Sequence, residues 1–216
     1  AANLSTLGGK TAGTVTVTNA VAITGSASEL TAALVTAGSL VEVSNATATV
    51  NDADASAITA TELSAIGAKT TGTVTVANAV AITGSASELT AALVTDSTKV
   101  VATNATATVN DADGTGITAT ALSAIGGATT GTVTVTNAIA ITGSPAEVTA
   151  ALVTSGSLVE VTDAVVSITG NPSITDLNAI AAKTTGVVTA TLAADSLSNL
   201  GALTTAGTDA ITITVN

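Results

Sequence analysis

The sequence predicts a mainly β fold, a β-solenoid of about eight coils, on three observations. The first is a long internal repeat. TGTVTVANAVAITGSASELTAALVT from Thr71 returns almost unchanged as TGTVTVTNAIAITGSPAEVTAALVT from Thr130, and an earlier copy surrounds Gly13, so that Gly13, Gly72 and Gly131 lie 59 residues apart. The second is Val-x-Val alternation with outward Thr, the period of a half-buried strand. The third is a weaker copy inside each long repeat, which shortens the self-similar unit to the 20–50 residues typical of stacked-repeat architectures.

Each coil reads as strand, Asn corner, strand and short helical turn. Val15 with Val17, Val74 with Val76 and Val133 with Val135 mark the first strand. An Asn-Ala pair follows, and then a second alternating stretch, as in Val80 and Ile82 or Ile139 and Ile141. Helix-entry chemistry comes next. Ser26 with Glu29, Thr59 with Glu62 and Ser85 with Glu88 have capping-box spacing, in which hydroxyl and carboxylate each take up a free backbone N–H. Ser144-Pro145-Ala146-Glu147 adds proline at the first helical position. The coils anchor on Leu4, Leu30, Leu63, Leu89, Leu122, Val148, Leu177 and Leu197, and their spacing alternates between 26 and 33 residues before it decays towards the C-terminus. Residues 1–216 therefore read as one continuous solenoid, a segment of a longer repetitive protein. A lone strand pair with a short helix cannot bury its apolar side; stacked on like neighbours it can. In the short coils the β-branched Val21, Ile23, Val80, Ile82, Ile139 and Ile141 are expected inward, with the long coils shifted in phase.

Composition narrows the function classes. The chain is 46% hydrophobic with 0% aromatic residues and has no Cys, Met or His, so its interior is built from Ala, Val, Leu and Ile alone. A net charge of −11, with only four basic residues, leaves neither the basic stripe nor the aromatic platforms that nucleic-acid binding requires. Mean hydropathy is +0.65, yet polar residues interrupt every apolar run, so no membrane insertion is expected. Without His or Cys, a serine nucleophile lacks its usual base, and the chain reads as no enzyme.

Three groups of residues are candidate sites. Asn19, Asn45, Asn78, Asn104 and Asn137, with Asp163 next in register, form a column read as a buried structural ladder of stacked amides. Asn45-Ala46-Thr47 and Asn104-Ala105-Thr106 match the glycosylation sequon, but their place in that column argues against modification. The long coils carry acidic loops, and Asn51, Asp52, Asp54, Asn110, Asp111 and Asp113 are the Ca²⁺ candidates; apart from Ca²⁺, no cofactor is expected. Clustered carboxylates and loop carbonyls suit that ion, although the twelfth residue from Asp111 is Leu122 and not the glutamate of an EF-hand. Thr rows on a flat face raise ice binding. Aligned on the Asn column, however, the row Thr16, Glu42, Thr75, Val101, Thr134, Glu160 is broken in alternate coils.

The alternating units TTGTVTV-NA-AITGS and NATATVNDADGTGITATALSAIG resemble the Thr/Ala/Val-rich repeats of very large cyanobacterial and other bacterial cell-surface proteins. The resemblance implies an extracellular or cell-surface location and a role in adhesion, coating or filament building, and it carries no catalytic residues. The chain lacks the G-G-x-G-x-D run of the calcium-binding nonapeptide repeats often found beside such units. The reading is a structural extracellular repeat protein that builds a filament, coat or stalk, with further copies of itself as partner. The alternative is an adhesin module with a glycan or ice face and calcium-stabilised acidic loops.

Overall fold

The computed structural model describes residues 1–216. It corrects the expected fold class. The protein is α/β, with sixteen strands in four parallel sheets and eight helices, 32% helical against 25% strand, and it is not a mainly β solenoid. The reason lies in the Glu-Leu-x-Ala-Ala-Leu-Val runs, which read as short turns but fold into helical segments that pack on one another.

The chain divides into two compact units, Ala1–Thr108 with Ala128–Gly131, and Val109–Gly127 with Thr132–Asn216. The first unit opens with α1 (Ala2–Gly8), β1 (Val15–Val17), β2 (Ala22–Gly25) and α2 (Ala27–Leu30), which continues as a π-helical turn over Thr31–Val35. A 3₁₀ turn then leads to β3 (Val41–Val43), β4 (Thr47–Val50), β5 (Ala57–Thr59) and α3 (Ala60–Gly67). The pattern returns with β6 (Val74–Val76), β7 (Ala81–Gly84), α4 (Ala86–Leu89), the π turn Thr90–Val94, and β8 (Val100–Val101). The unit boundary falls in β9 (Thr106–Val109). The second unit holds β10 (Gly116–Thr118), α5 (Ala119–Gly127), β11 (Val133–Val135), β12 (Ala140–Gly143) and α6 (Pro145–Val148) with the π turn Thr149–Val153. It ends with β13 (Val159–Glu160), β14 (Val165–Ile168), α7 (Ile174–Ala181), β15 (Val188–Thr191), α8 (Leu197–Leu200) and β16 (Ala210–Thr212).

The helices start where their sequences say they should. Ser26, Thr59, Ser85 and Ser144 each accept from the backbone N–H three residues on, and each glutamate reaches back to the cap. Within the first unit α1 packs on the Thr31–Val35 turn, that turn on α3, and α3 on the Thr90–Val94 turn; within the second, α5 and α7 both pack on Thr149–Val153. Leu30, Leu63, Ile66 and Leu89 line the first core and Leu122, Ile125, Leu177 and Ile180 the second, all fully buried. Helix and π turn together span nine residues, long enough to present two buried leucines or their equivalents. The helical segments are thus a full wall of the fold.

Each π turn hands the chain to the next strand through a left-handed residue. Leu40, Lys99 and Leu158 have φ of 54°, 54° and 55°. This conformation is uncommon for a bulky side chain. It points each carbonyl at a strand of the preceding repeat segment: Val15 N–H donates to Leu40 O at 2.8 Å, Val74 to Lys99 O at 2.9 Å and Val133 to Leu158 O at 2.9 Å.

Strand pairing is parallel throughout but not like with like. β1 pairs with β3, and β2 with β4, first strand on first and second on second. β4, the second strand of a long segment, then pairs on its other side with β6, the first strand of the next. β5 pairs with β7. The same step recurs in the second unit, where β10 pairs with β12. The cause is the third strand that only the long segments carry: three strands cannot match two without shifting by one place. Inward positions follow. Ile23, Val80, Ile82, Ile139 and Ile141 are buried in the short segments, but Val21, also expected inward, is 39% exposed; in the long segments Ala46, Ala48 and Val50, or Ala105, Ala107 and Val109, are buried. The phase shift expected between segments is present.

Burial separates two of the sequence anchors. Leu63 has no exposure, whereas Leu197 is 74% exposed and Leu200 takes the buried place in α8. Leu63→Ala should therefore cost about 2–5 kcal/mol. Leu197→Ala should stay within about 0.5 kcal/mol of the parent, and urea unfolding of the two variants checks both.

Candidate functional site

The acidic loops and asparagine corners converge on one another. In the first unit the loop over residues 51–56 lies between two other segments. Asp52 Oδ2 accepts from Ala27 N–H at 2.7 Å, at the start of α2. Asp52 O accepts from Asn78 Nδ2 at 2.6 Å, and Asp54 Oδ1 accepts from Ala79 N–H at 2.9 Å. The second unit repeats the geometry, with Asn137 Nδ2 to Asp111 O at 2.6 Å and Ala138 N–H to Asp113 Oδ1 at 3.0 Å. Backbone bonds complete the clamp: Ala55 N–H donates to Ala79 O and Ala81 N–H to Ser56 O, both at 2.9 Å.

The asparagine column therefore splits in two. Asn78 and Asn137 are half-buried, and their amides bond acidic-loop carbonyls instead of one another. Asn19, Asn45, Asn104 and Asp163 are exposed. The reading of one buried ladder gives way to two structural amides and four exposed corners, and the two sequon asparagines are among the exposed ones. The six calcium candidates also differ among themselves. Asn51, Asn110, Asp54 and Asp113 are exposed, and Asp52 and Asp111 are half-buried. The carboxylates of Asp52, Asp54 and Asp113 are occupied by backbone donors. No group of three or more acidic side chains converges. A cation in these loops would have to compete with the backbone N–H groups for the same oxygens.

A second corner was not legible as a site. Thr70 and Thr71 precede Gly72, Thr129 and Thr130 precede Gly131, and Thr184 and Thr185 precede Gly186. The hydroxyls of Thr70 and Thr129 donate to the carbonyls of Ala46 and Ala105, and Thr184 Oγ1 donates to Ala164 O at 2.6 Å. Each first threonine also accepts from the glycine N–H. Each second threonine hydroxyl donates to a carbonyl of the preceding segment, Ser44, Thr103 or Thr162, at 3.0 Å. A Cβ at Gly72 would collide with Ala46 O, so glycine is required by close approach. The recurring Thr-Thr-Gly triplet was the available signal.

The threonine rows are set by the register. Thr24 pairs with Thr49, Thr49 with Thr75, and Thr75 with Val101, which ends the row. In the second unit Thr118, Thr142, Ser167 and Thr189 lie in register. Shallow grooves of about 210 and 220 Å³ in the first unit and 200 Å³ in the second lie beside the left-handed residues. Two of them contain one Glu and one Lys, Glu42 with Lys69 and Glu160 with Lys183. All are smaller than the roughly 300–1,000 Å³ of typical ligand pockets.

Comparison with protein-family models, curated proteins and solved structures returns no match. The bonds described here are what the site offers: hydrogen bonds that tie successive segments together.

Two predictions follow from these partners. Asn78→Ala leaves the half-buried Asp52 carbonyl without its donor and should cost about 1–2 kcal/mol, whereas Asn104→Ala should be near neutral; thermal melts compare them. The second concerns pH. The Ser85 backbone N–H, with the Thr61 and Ser85 hydroxyls, holds Glu88 below the usual glutamate value of 4.5. The backbone and then the hydroxyl of Ser144, with Thr120, do the same for Glu147. Asn199 and the Ser196 backbone lower Asp195. Folded-state values below the unfolded ones favour the ionised form, so this stability is complete above the ordinary carboxylate range and is lost as pH falls through the lowered values. The melting temperature should fall on acidification below about pH 4.5, and more gently in the E88Q/E147Q variant.

Proposed function

We propose that the protein is a structural component of an extracellular or cell-surface assembly, built by stacking α/β segments within the chain and by association between copies. The observation that carries this reading is the Ala-Ile-Thr pairing. Ala57-Ile58-Thr59 of β5 pairs in register with Ala81-Ile82-Thr83 of β7, so one short strand sequence recognises itself. The clamps and Thr-Thr-Gly corners add support, because they spend the polar side chains on joining segments. Resemblance of the repeats to those of large bacterial surface proteins supports the location. No helix is long and apolar enough to cross a membrane.

Copies that each carry a charge of −11 repel at long range. Salt shortens that repulsion, from a Debye length of about 30 Å at 0.01 M to 8 Å at 0.15 M. Sedimentation velocity should show association that rises with protein concentration and with ionic strength, and electron microscopy should show linear particles. A single monomeric species across concentrations and salt overturns the reading.

A further inference from the structure

The three grooves beside the π turns keep the same charges while changing the residues that supply them. In the first unit, the groove at Leu40 carries Glu42 and Lys69, and the groove at Lys99 carries Lys99 itself with Asp96. In the second unit, the groove at Leu158 carries Glu160 and Lys183. The place of Glu42 and Glu160 is taken by Val101 in the Lys99 groove, and the place of Lys69 and Lys183 by Ala128. Both charges have moved to other positions in that groove, and neither has been lost. The chain has 15 acidic residues and four basic ones, and three of those four line the grooves. All six charged residues are exposed, and none is taken up in an ion pair within the chain.

A second observation concerns the left-handed residue in each groove wall. Glycine takes a φ near 54° without steric penalty, and asparagine is its common substitute. The chain instead keeps Leu40, Lys99 and Leu158 there. The carbonyl bonds that these residues make to the neighbouring strands need only the turn, and so leave the bulky side chains unexplained. Strain held at such a position points to a use for the side chain. Leu40 and Leu158 supply apolar wall to their grooves. Where Lys99 stands instead, the apolar wall comes from Val101, which is 47% exposed. Each groove therefore offers one carboxylate, one ammonium and one exposed apolar side chain, whichever positions provide them.

We propose that each groove binds a small zwitterion with an apolar side chain, an α-amino acid of about the size of leucine. Its ammonium faces Glu42, Asp96 or Glu160, and its carboxylate faces Lys69, Lys99 or Lys183. Its side chain rests on Leu40, Val101 or Leu158. A ligand with a single charge would leave the other charge of the groove unmatched. The volumes of 200–220 Å³ equal roughly seven waters' share of liquid. That is room for one amino acid and not for a folded peptide. The proposal does not depend on whether copies of the chain associate.

Titration of the ¹⁵N-labelled chain with L-leucine, followed by amide NMR, tests it. Saturable shifts are expected at the amides of Leu40, Lys99 and Leu158, with dissociation constants in the millimolar range. Leucine methyl ester lacks the carboxylate and N-acetylleucine lacks the ammonium, so each should bind roughly tenfold more weakly or worse. Glu42→Gln should weaken the response at Leu40 to a similar degree and leave that at Leu158 unchanged. Glu42 is exposed, and the spectrum itself reports whether the variant folds. No saturable shift at these three amides up to the solubility of leucine overturns the proposal. Equal binding of either derivative overturns it too, as does a Glu42→Gln variant whose Leu40 and Leu158 responses stay alike.

Discussion

Close backbone approach between successive segments is the constraint on which the rest of this structure depends. With no aromatic residue and no methionine, the interior has only Ala, Val, Leu and Ile to exclude water. Small side chains bury useful area only when the elements that carry them lie close together. Glycine permits that at the helix ends, where a Cβ at Gly8, Gly67 or Gly126 would strike the carbonyl of Ser39, Thr98 or Ser157. It permits it again in the Thr-Thr-Gly corners. Proximity on this scale brings backbone polar groups out of water, and each must then find a partner.

The polar residues meet that demand. Threonine hydroxyls donate to carbonyls of the preceding segment, serine and glutamate close the helix starts, and aspartate oxygens accept from N–H groups at Ala27, Ala79 and Ala138. Residues that look like ligand-binding chemistry when read singly are, in place, the joints of the fold. The acidic loops show this most plainly. Along the sequence they look like the start of a calcium loop, and yet the carboxylates of Asp52, Asp54 and Asp113 are held by the chain's own backbone.

The long and short segments have different work to do. A long segment supplies a third strand and an acidic loop, and both engage the short segment that follows, through β5 on β7 and β10 on β12. A short segment supplies the Asn-Ala corner that receives them. The 59-residue pair is therefore a donor joined to an acceptor.

Much of the local structure was legible in the sequence: the capping boxes at Ser26, Thr59, Ser85 and Ser144, the Val-x-Val strands, the 59-residue period and the phase change between segments. These depend on contacts within a few residues, which periodicity and capping chemistry report directly. The fold class was not legible, because the TAALV runs look too short for helices until α and π turns are joined and packed against their neighbours. The fate of the asparagines was not legible either. Asn19 and Asn78 are followed by the same residues, Ala-Val-Ala-Ile-Thr-Gly-Ser, yet only Asn78 has an acidic loop lying across it. By itself the sequence determined which segments turn, extend and coil. Only the tertiary structure decided that three strands must step past two, since register is a property of the neighbour and not of the strand.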